Sequence, residues 1–357
     1  MRDVKFIDAS EWTEQFWLNS GGTRAKKVLQ DNEGQEWFFK CSEKKEAKDG
    51  KPEKYYRYEF WSEIIAYQLG HAWGLDILRY DPAFRDDQIG CISRNMITDD
   101  REQLIEVGRF MTAISDDFSP AYNETRNQYT FQLLDKTLNH FDLANYWDHF
   151  FQTILFDSVI GNTDRHQENW AFIGRSTLIS KSLDEIERES KEKGFLKLGW
   201  FFLNIYNRII DKESNRFNKE GEQLRLSVTN ISRMAPIYDS GSSMARELND
   251  DMVQALLSDE ARLAKYIDSG KAEIHWNNKK LSHFDLILEL LNSSYIQEVK
   301  KAGFFLSKMD ISIVKDIINN IDSSLPENWN HYKIPQSRKD LIFKLVTLRA
   351  EKLKELI

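Results

Sequence analysis

Apolar residues change their spacing near residue 100. Before that point they come in short runs, VKFI (4–7), KKVLQ (26–30) and EWFFKC (36–41), broken by NSGG (19–22) and DNEG (31–34). Short runs bounded by Gly, Asn and Asp predict strands joined by tight turns. The charged stretch SEKKEAKDGKPEK (42–54) predicts a solvated loop. A helix of about twenty residues follows, because Trp61, Ile65, Leu69 and Ala72 recur at helical spacing and form one apolar stripe. GLDILRY (74–80) and QIGCISRNMI (88–97) predict the last strands of a small sheet.

From residue 100 onward the pattern predicts mainly helices. NYWDHFFQTILFDSVIG (145–161) puts Trp147, Phe151, Ile154, Leu155 and Val159 on one face, and Gly161 stands where that helix should stop. NWAFIG (169–174) and RMAPIYD (233–239) predict two short strands. Between them lie the charged run LDEIERESKEK (183–193) and the aromatic-rich LGWFFLNIYNRII (198–210). Residues 249–357 predict amphipathic helices, among them IVKDIINNI (313–321) and DLIFKLVTLRAEKLKELI (340–357). The expected architecture is α+β, with a strand-rich head over 1–97 and a helical body over 98–357.

Composition narrows the function. With 357 residues and 41% apolar positions the chain can bury a core large enough for two lobes. Its 57 acidic against 49 basic residues give a net charge of -8, which repels polyanions and argues against general nucleic-acid or membrane-surface binding. A small basic pocket for a triphosphate stays compatible with that balance. Cys41 and Cys91 lack metal-ligand spacing and are too few for a disulfide framework, so a reducing compartment is expected. The start MRDVKFIDASEW has no apolar signal core, and 198–210 is interrupted by Asn204, Asn207 and Arg208 and too short to span a bilayer. A soluble, cytoplasmic protein is the expectation.

The stretch richest in chemistry is GNTDRHQENW (161–170), entered from an apolar helix and left by a strand. Moving a phosphoryl group to a hydroxyl needs a carboxylate to orient that hydroxyl and accept its proton, and oxygen ligands for magnesium. Asp164 and Asn169 have the Asp-x4-Asn spacing that kinases use on one loop, and APIYDSGSS supplies a second carboxylate in an Asp-x-Gly turn, Asp239-Ser240-Gly241. Each motif is weak alone; together, in helix–loop–strand context, they are moderately specific. A plain polar turn is the bland alternative, and His166 is an organiser of the loop with no proton-transfer role. Neither HExxH nor a Cys/His cluster occurs, against a zinc hydrolase.

Phosphates need a cation. Lys40 ends the strand EWFFK, and Glu59 or Glu63 on the following helix can hold it, being one turn apart on one face. Gly21 and Gly22 in SGGTRAKK (20–27) permit close backbone approach to an anion, although a glycine pair between two strands is, in isolation, more often just a hairpin turn. The segment does not match GxxxxGK[ST], which excludes a simple P-loop NTPase.

On these residues the chain resembles the HipA family of bacterial Ser/Thr kinases. GNTDRHQENW resembles the family's GNxDxHxxN loop and APIYDSGS its AP-x-YD turn, while SEIIAYQLGHAWGLDI resembles the helix carrying the lysine's glutamate, a register that selects Glu63. The compact CtkA type of the family is the nearest in style, through GGTRAKK, WFFK and KMDISIVKDIINNI. The resemblance implies a bilobal protein-kinase-like fold that uses ATP and Mg2+. It implies Asp164 as the catalytic base, Asn169 and Asp239 as metal ligands and Lys40 as the α/β-phosphate contact, with Lys27 matching the glycine-loop lysine. Adenine would lie against Arg94, Asn95, Met96 and Ile97. A protein acceptor, autophosphorylation and possible delivery into a host cell follow from the same resemblance. Two departures stand out: the insert 175–233 is far longer than a hairpin, and the glycine loop lacks the Ser-Gly-x-Gln-x-Lys form. The metal turn (236–243) is therefore identified by its flanks. A small-molecule or lipid kinase, or an inactive interaction module displaying Trp200, Phe201, Phe202 and Tyr206, are the competing readings.

Overall fold

The predicted strands KKVLQ, EWFFKC and QIGCISRNMI join three others in a six-stranded sheet, in a computed structural model that describes residues 3–16, 26–42, 44–45, 54–115, 117–119, 127–182 and 223–357. Strands β1 (Ile7–Asp8), β2 (Thr13–Glu14), β3 (Lys27–Gln30) and β4 (Glu36–Cys41) precede a two-residue ribbon of β5 (Lys44–Lys45) and β6 (Lys54–Tyr55). Helix α1 (Glu59–Ala72) follows, then β7 (Asp81–Arg85) and β8 (Gln88–Arg94). The order is β1-β7-β8-β4-β3-β2, antiparallel except for β1 beside β7. VKFI contributes only its last residue to a strand. GLDILRY forms none; Ile77 instead makes a single bridge to Ile237, with Leu78 N donating to Ile237 O at 2.9 Å.

Strand alternation sorts this sheet's two faces. Leu29, Phe39, Ala83 and Ile92 form a small outer cluster, whereas Ile89 and Cys91 point into the main core beside α1. Lys40 pairs with Cys91 across the sheet and shares its inward face. The sequence predicted a single apolar stripe on α1, and Trp61, Ile65 and Leu69 are indeed buried. So are Glu59, Ser62, Glu63 and Gln68, because the helix is enclosed between the sheet and the helical lobe.

The second part does not begin with a helix, as the sequence pattern predicted. Strand β9 (Glu102–Glu106) comes first, then α2 (Val107–Thr112), α3 (Phe131–His140) and α4 (Trp147–Ile160). Strands β10 (Ala171–Ser182) and β11 (Gln223–Met234) complete the antiparallel sheet β11-β10-β9. Both strands run 12 residues, so the flanks of the 175–233 insert prolong this hairpin. Residues 235–239 leave the sheet, contrary to the strand predicted over 233–239, since Pro236 has no N–H to give a ladder. The charged run 183–193 and the aromatic segment 198–210 lie outside the described residues.

Six further helices follow: α5 (Asp250–Ser258), α6 (Glu260–Ser269), α7 (His283–Leu291), α8 (Ile296–Ala302), α9 (Ile311–Asn320) and α10 (Gln336–Leu356). Asn249, Asp259, Ser282 and Asp310 cap four of them by accepting a backbone N–H, as short polar side chains do at helix starts. Of these, α7, α8 and α10 pack on α4, which buries Phe150, Phe156 and Ile160 as well as the predicted face. Stacked and edge-on rings of Phe131, Trp147, Phe151 and Tyr295 close its base. Among the described residues no helix is long and apolar enough to cross a membrane.

Candidate functional site

Helix α4 delivers the catalytic-type loop. It stops at Gly161, whose φ of 68° is the left-handed conformation expected of a helix-ending glycine. A Cβ there would run into the Arg349 guanidinium, which reaches from α10 and donates to Ile160 O at 3.4 Å. Asn162 then fixes the loop's entry: its Nδ2 donates to Asp157 Oδ1 (3.0 Å) and its Oδ1 accepts from Asp164 N (3.2 Å). Asn169 Nδ2 donates to Asp164 O (2.9 Å), tying the two ends of the Asp-x4-Asn segment together. This bond engages the Asn169 amide nitrogen and leaves its oxygen as the group suited to a cation.

Arg165 holds the middle of this loop. It is buried, pairs with Asp157 at 2.9 and 3.0 Å, and donates to Asn169 O, Tyr238 O and Ser240 Oγ. Burial pulls its pKa down, but the Asp157 carboxylate more than reverses this, so the guanidinium stays charged. One side chain thus joins α4, the loop and the Asp-x-Gly turn. Ser242 Oγ donates to Asp164 Oδ2 (3.3 Å) and Thr163 N to Ser242 O (3.4 Å), bringing Asp164 beside the turn that carries Asp239.

That turn is anchored to the sheet and to α1. Lys40 Nζ contacts both Glu63 Oε1 and Asp239 Oδ1, and Glu63 Oε2 accepts from Ser240 N at 2.7 Å. Glu63 is therefore the lysine's carboxylate, while Glu59 pairs with Arg246 at 2.5 Å. Gly241 does not carry the left-handed backbone of this turn. Asp239 itself has the positive φ, 55°, a strained position of the kind that clusters at functional sites. Gly241 is required for close approach, since a Cβ would stand 3.0 Å from Glu63 Oε1.

Other predicted residues are distributed unevenly. Arg94 stacks over Trp37 at 5.0 Å, and Asn95 pairs its backbone and side chain with Glu36. Met96 and Ile97 pack on Ala171, Ile173, Ala235 and Tyr238, an apolar patch next to the loop. His166 Nδ1 accepts from Glu168 N at 3.3 Å, a contact within the loop. Lys27 is not brought to the cluster. Its strand partner is Phe39, so it lies on the outer face, with Asp86 at 2.5 Å and Glu14 at 3.6 Å. Gly21 and Gly22 lie outside the described residues.

Sequence reasoning passed over Asp157, Arg165 and Arg349. One signal was available, because Asp157 is the lone carboxylate in the apolar run ILFDSVI. Among the described residues no three His, Cys, Asp or Glu side chains form a metal cage. A carboxylate and an amide oxygen do fit magnesium, which takes few protein ligands and completes its shell with phosphates and water.

No protein-family model matches the sequence, and no curated protein matches it. Similarity appears among solved structures. The proinflammatory kinase CtkA of Helicobacter pylori superposes with a TM-score of 0.66 at 16% identity, covering 98% of this chain and 96% of that one. HipA in the Shewanella oneidensis complex with HipB and operator DNA gives a TM-score of 0.43 at 11% identity, over 95% of this chain and 66% of that one. The mixed α+β fold, a strand-rich lobe on a mainly helical one, is thus shared with the kinase CtkA.

Proposed function

We propose that this chain is an ATP- and magnesium-dependent kinase that phosphorylates Ser or Thr hydroxyls of a protein, its own included. The observation that carries the reading is the convergence of Lys40, Glu63 and Asp239 from strand, helix and turn, beside a loop that presents Asp164 and Asn169. Five side chains of the types phosphoryl transfer needs are gathered from four separate stretches of chain. A plain polar turn has no need of them.

In this reading Lys40, held by Glu63, meets the α- and β-phosphates, and the apolar patch beside Met96 and Ile97 receives the adenine. Asn169 and Asp239 would hold the magnesium, which neutralises phosphate charge when bound. Asp164 orients the acceptor hydroxyl and takes its proton as the oxygen bonds to the γ-phosphorus and the bond to the ADP oxygen breaks. Arg165 keeps loop and turn in register without touching substrate. Free Cys41 and Cys91 suit a reducing, cytoplasmic setting.

The test is transfer of label from γ-labelled ATP, with and without magnesium, to the protein itself and to a panel of protein acceptors. Asp164→Ala and Asp239→Ala should each reduce the rate by about a hundredfold or more, since each removes a group acting mainly in the transition state. Full activity in either variant would overturn the assignment.

A further inference from the structure

In the proposed reaction Asp239 offers its carboxylate to a dication, yet its Oδ1 already meets the Lys40 ammonium, which is shared with Glu63 Oε1. Water screens this contact little. The Lys40 side chain is 7% exposed, that of Asp239 15% and that of Glu63 0%. Cys91, opposite Lys40 in the sheet, is fully buried. Charges at hydrogen-bond distance in such a setting interact several times more strongly than in water. The buried Arg165 guanidinium puts a second cation behind the turn, donating to Tyr238 O and Ser240 Oγ.

Nor can the turn withdraw from the lysine as a body. Ser240 N donates to Glu63 Oε2 at 2.7 Å, and Ser62 Oγ donates to Ser243 O at 3.2 Å. Gly241 packs so closely on α1 that a Cβ would stand 3.0 Å from Glu63 Oε1. The turn is thus fastened to the helix that also holds Lys40 through Glu63. Exchange falls to the side chains: either Lys40 leaves Asp239, or a dication arrives beside an ammonium. Like charges close together in a buried site disfavour each other, so the second route is the poorer one. An anion that takes the ammonium for itself removes the obstacle, and nucleotide phosphate is such an anion.

We propose that Lys40 gates the metal site: it keeps Asp239 from a divalent cation until nucleotide phosphate draws the ammonium away, so the cation reaches Asp239 and Asn169 with or after the nucleotide and not before it. This gate, which rests on Asp239 and Asn169 being the metal ligands as proposed above, gives Lys40 opposite effects on two ligands. The ammonium favours the nucleotide and disfavours the bare cation. Removing it should weaken the one and strengthen the other, whereas a lysine that serves phosphate alone would leave the bare cation unaffected. The coupling is reciprocal, so a cation on Asp239 also frees Lys40 for phosphate.

Manganese, which suits the same oxygen ligands as magnesium, is the probe, followed by EPR in the absence of nucleotide. Lys40→Met should bind Mn2+ about tenfold or more tightly than wild type, since it removes the competing cation. Adding Asp239→Asn to that variant should abolish the gain, which locates it at Asp239. ADP affinity in EDTA should move the other way and fall in Lys40→Met. Because that variant leaves Glu63 and Asp239 without their ammonium and can fail to fold, wild-type crystals supply a second readout. Soaked with Mn2+ alone, they should keep the Lys40–Asp239 contact and show no anomalous peak at Asp239. Soaked with Mn2+ and ADP, they should show that peak, with Lys40 turned to phosphate. Equal Mn2+ affinity in wild type and Lys40→Met, or a peak at Asp239 without ADP, would overturn the gate and leave the metal ligands standing. No peak at Asp239 even with ADP would overturn both. None of these readouts depends on phosphotransfer.

Discussion

Lys27 and Lys40 sit on neighbouring strands of one sheet, and each pairs with two carboxylates. Lys27 meets Asp86 and Glu14 on the outer face, with its side chain 35% exposed. Lys40 meets Glu63 and Asp239 on the inner face, 7% exposed. For Lys27 the Asp86 contact raises the pKa and holds Asp86 down, yet water and salt screen the pair. For Lys40 the surrounding low dielectric makes the same geometry consequential, and removing one partner is expensive. Two pairs that look alike on paper therefore differ in what they can do. The outer one decorates the sheet, while the inner one joins strand, helix and turn.

Lys40→Met gives the largest expected effect. It should abolish most phosphotransfer, by about a hundredfold or more, and cost about 3–5 kcal/mol in denaturant unfolding, because it leaves Glu63 and Asp239 close together in a buried site without the ammonium. Lys27→Met should change neither quantity beyond error. Equal losses in the two variants would break the comparison.

Histidines sharpen it from the other side, where burial keeps a group neutral. His149 on α4 is pushed down to about 4 by burial, with Arg165 adding to the shift. A basic group with a lowered pKa favours the folded state in its uncharged form. Its contribution is complete above the ordinary value of 6.5 and disappears as pH falls through about 4. Unfolding free energy should therefore drop between these limits, by on the order of 3 kcal/mol from this residue. His149→Phe should flatten that part of the profile. A wild-type stability curve that is level from pH 7 to 4 would contradict the assignment.

How much of this was legible in the sequence depends on whether a residue's partner is local. Asp164, Asn169 and Asp239 could be read because each lies in a short segment whose neighbours identify it. Lys40 and Glu63 could be read from order along the chain, strand then helix. The face of Lys27 could not, because it depends on the β3–β4 register, which apolar runs such as EWFFK leave open. The length of β11 was legible but missed: its partner β10 lies across an insert, yet its first half, QLRLSV, alternates strictly between polar and apolar positions. Arg165 was obscured by its setting in a polar loop, where nothing local shows that it turns inward to Asp157. The close approach of Gly241 to Glu63 is a tertiary fact that the Asp-x-Gly motif alone does not show.

Arg349 supplies the smallest effect and a third kind of cation, buried like Lys40 but facing a carbonyl and a phenol. Burial lowers its pKa, and its neighbours are Ile160 O and the Tyr266 ring at 5.8 Å, with Tyr266 OH in turn bonded to Glu247 at 2.6 Å. Its guanidinium fills the space a Cβ on Gly161 would take. Gly161→Ala therefore meets two obstacles, a left-handed φ of 68° and a displaced buried cation. The conformational part alone costs about 1–2 kcal/mol. Arg349→Leu in the same chain should relieve the collision and leave only the conformational part, so the double variant should lose less than the sum of the singles. Because Asn162 follows Gly161 directly and holds Asp164 N, the single Gly161→Ala change should also lower phosphotransfer while ATP affinity, which the proposed function assigns to Lys40 and the apolar patch, stays near wild type. Strict additivity of the two substitutions would show that the Arg349 guanidinium does not occupy the space a Cβ at position 161 needs.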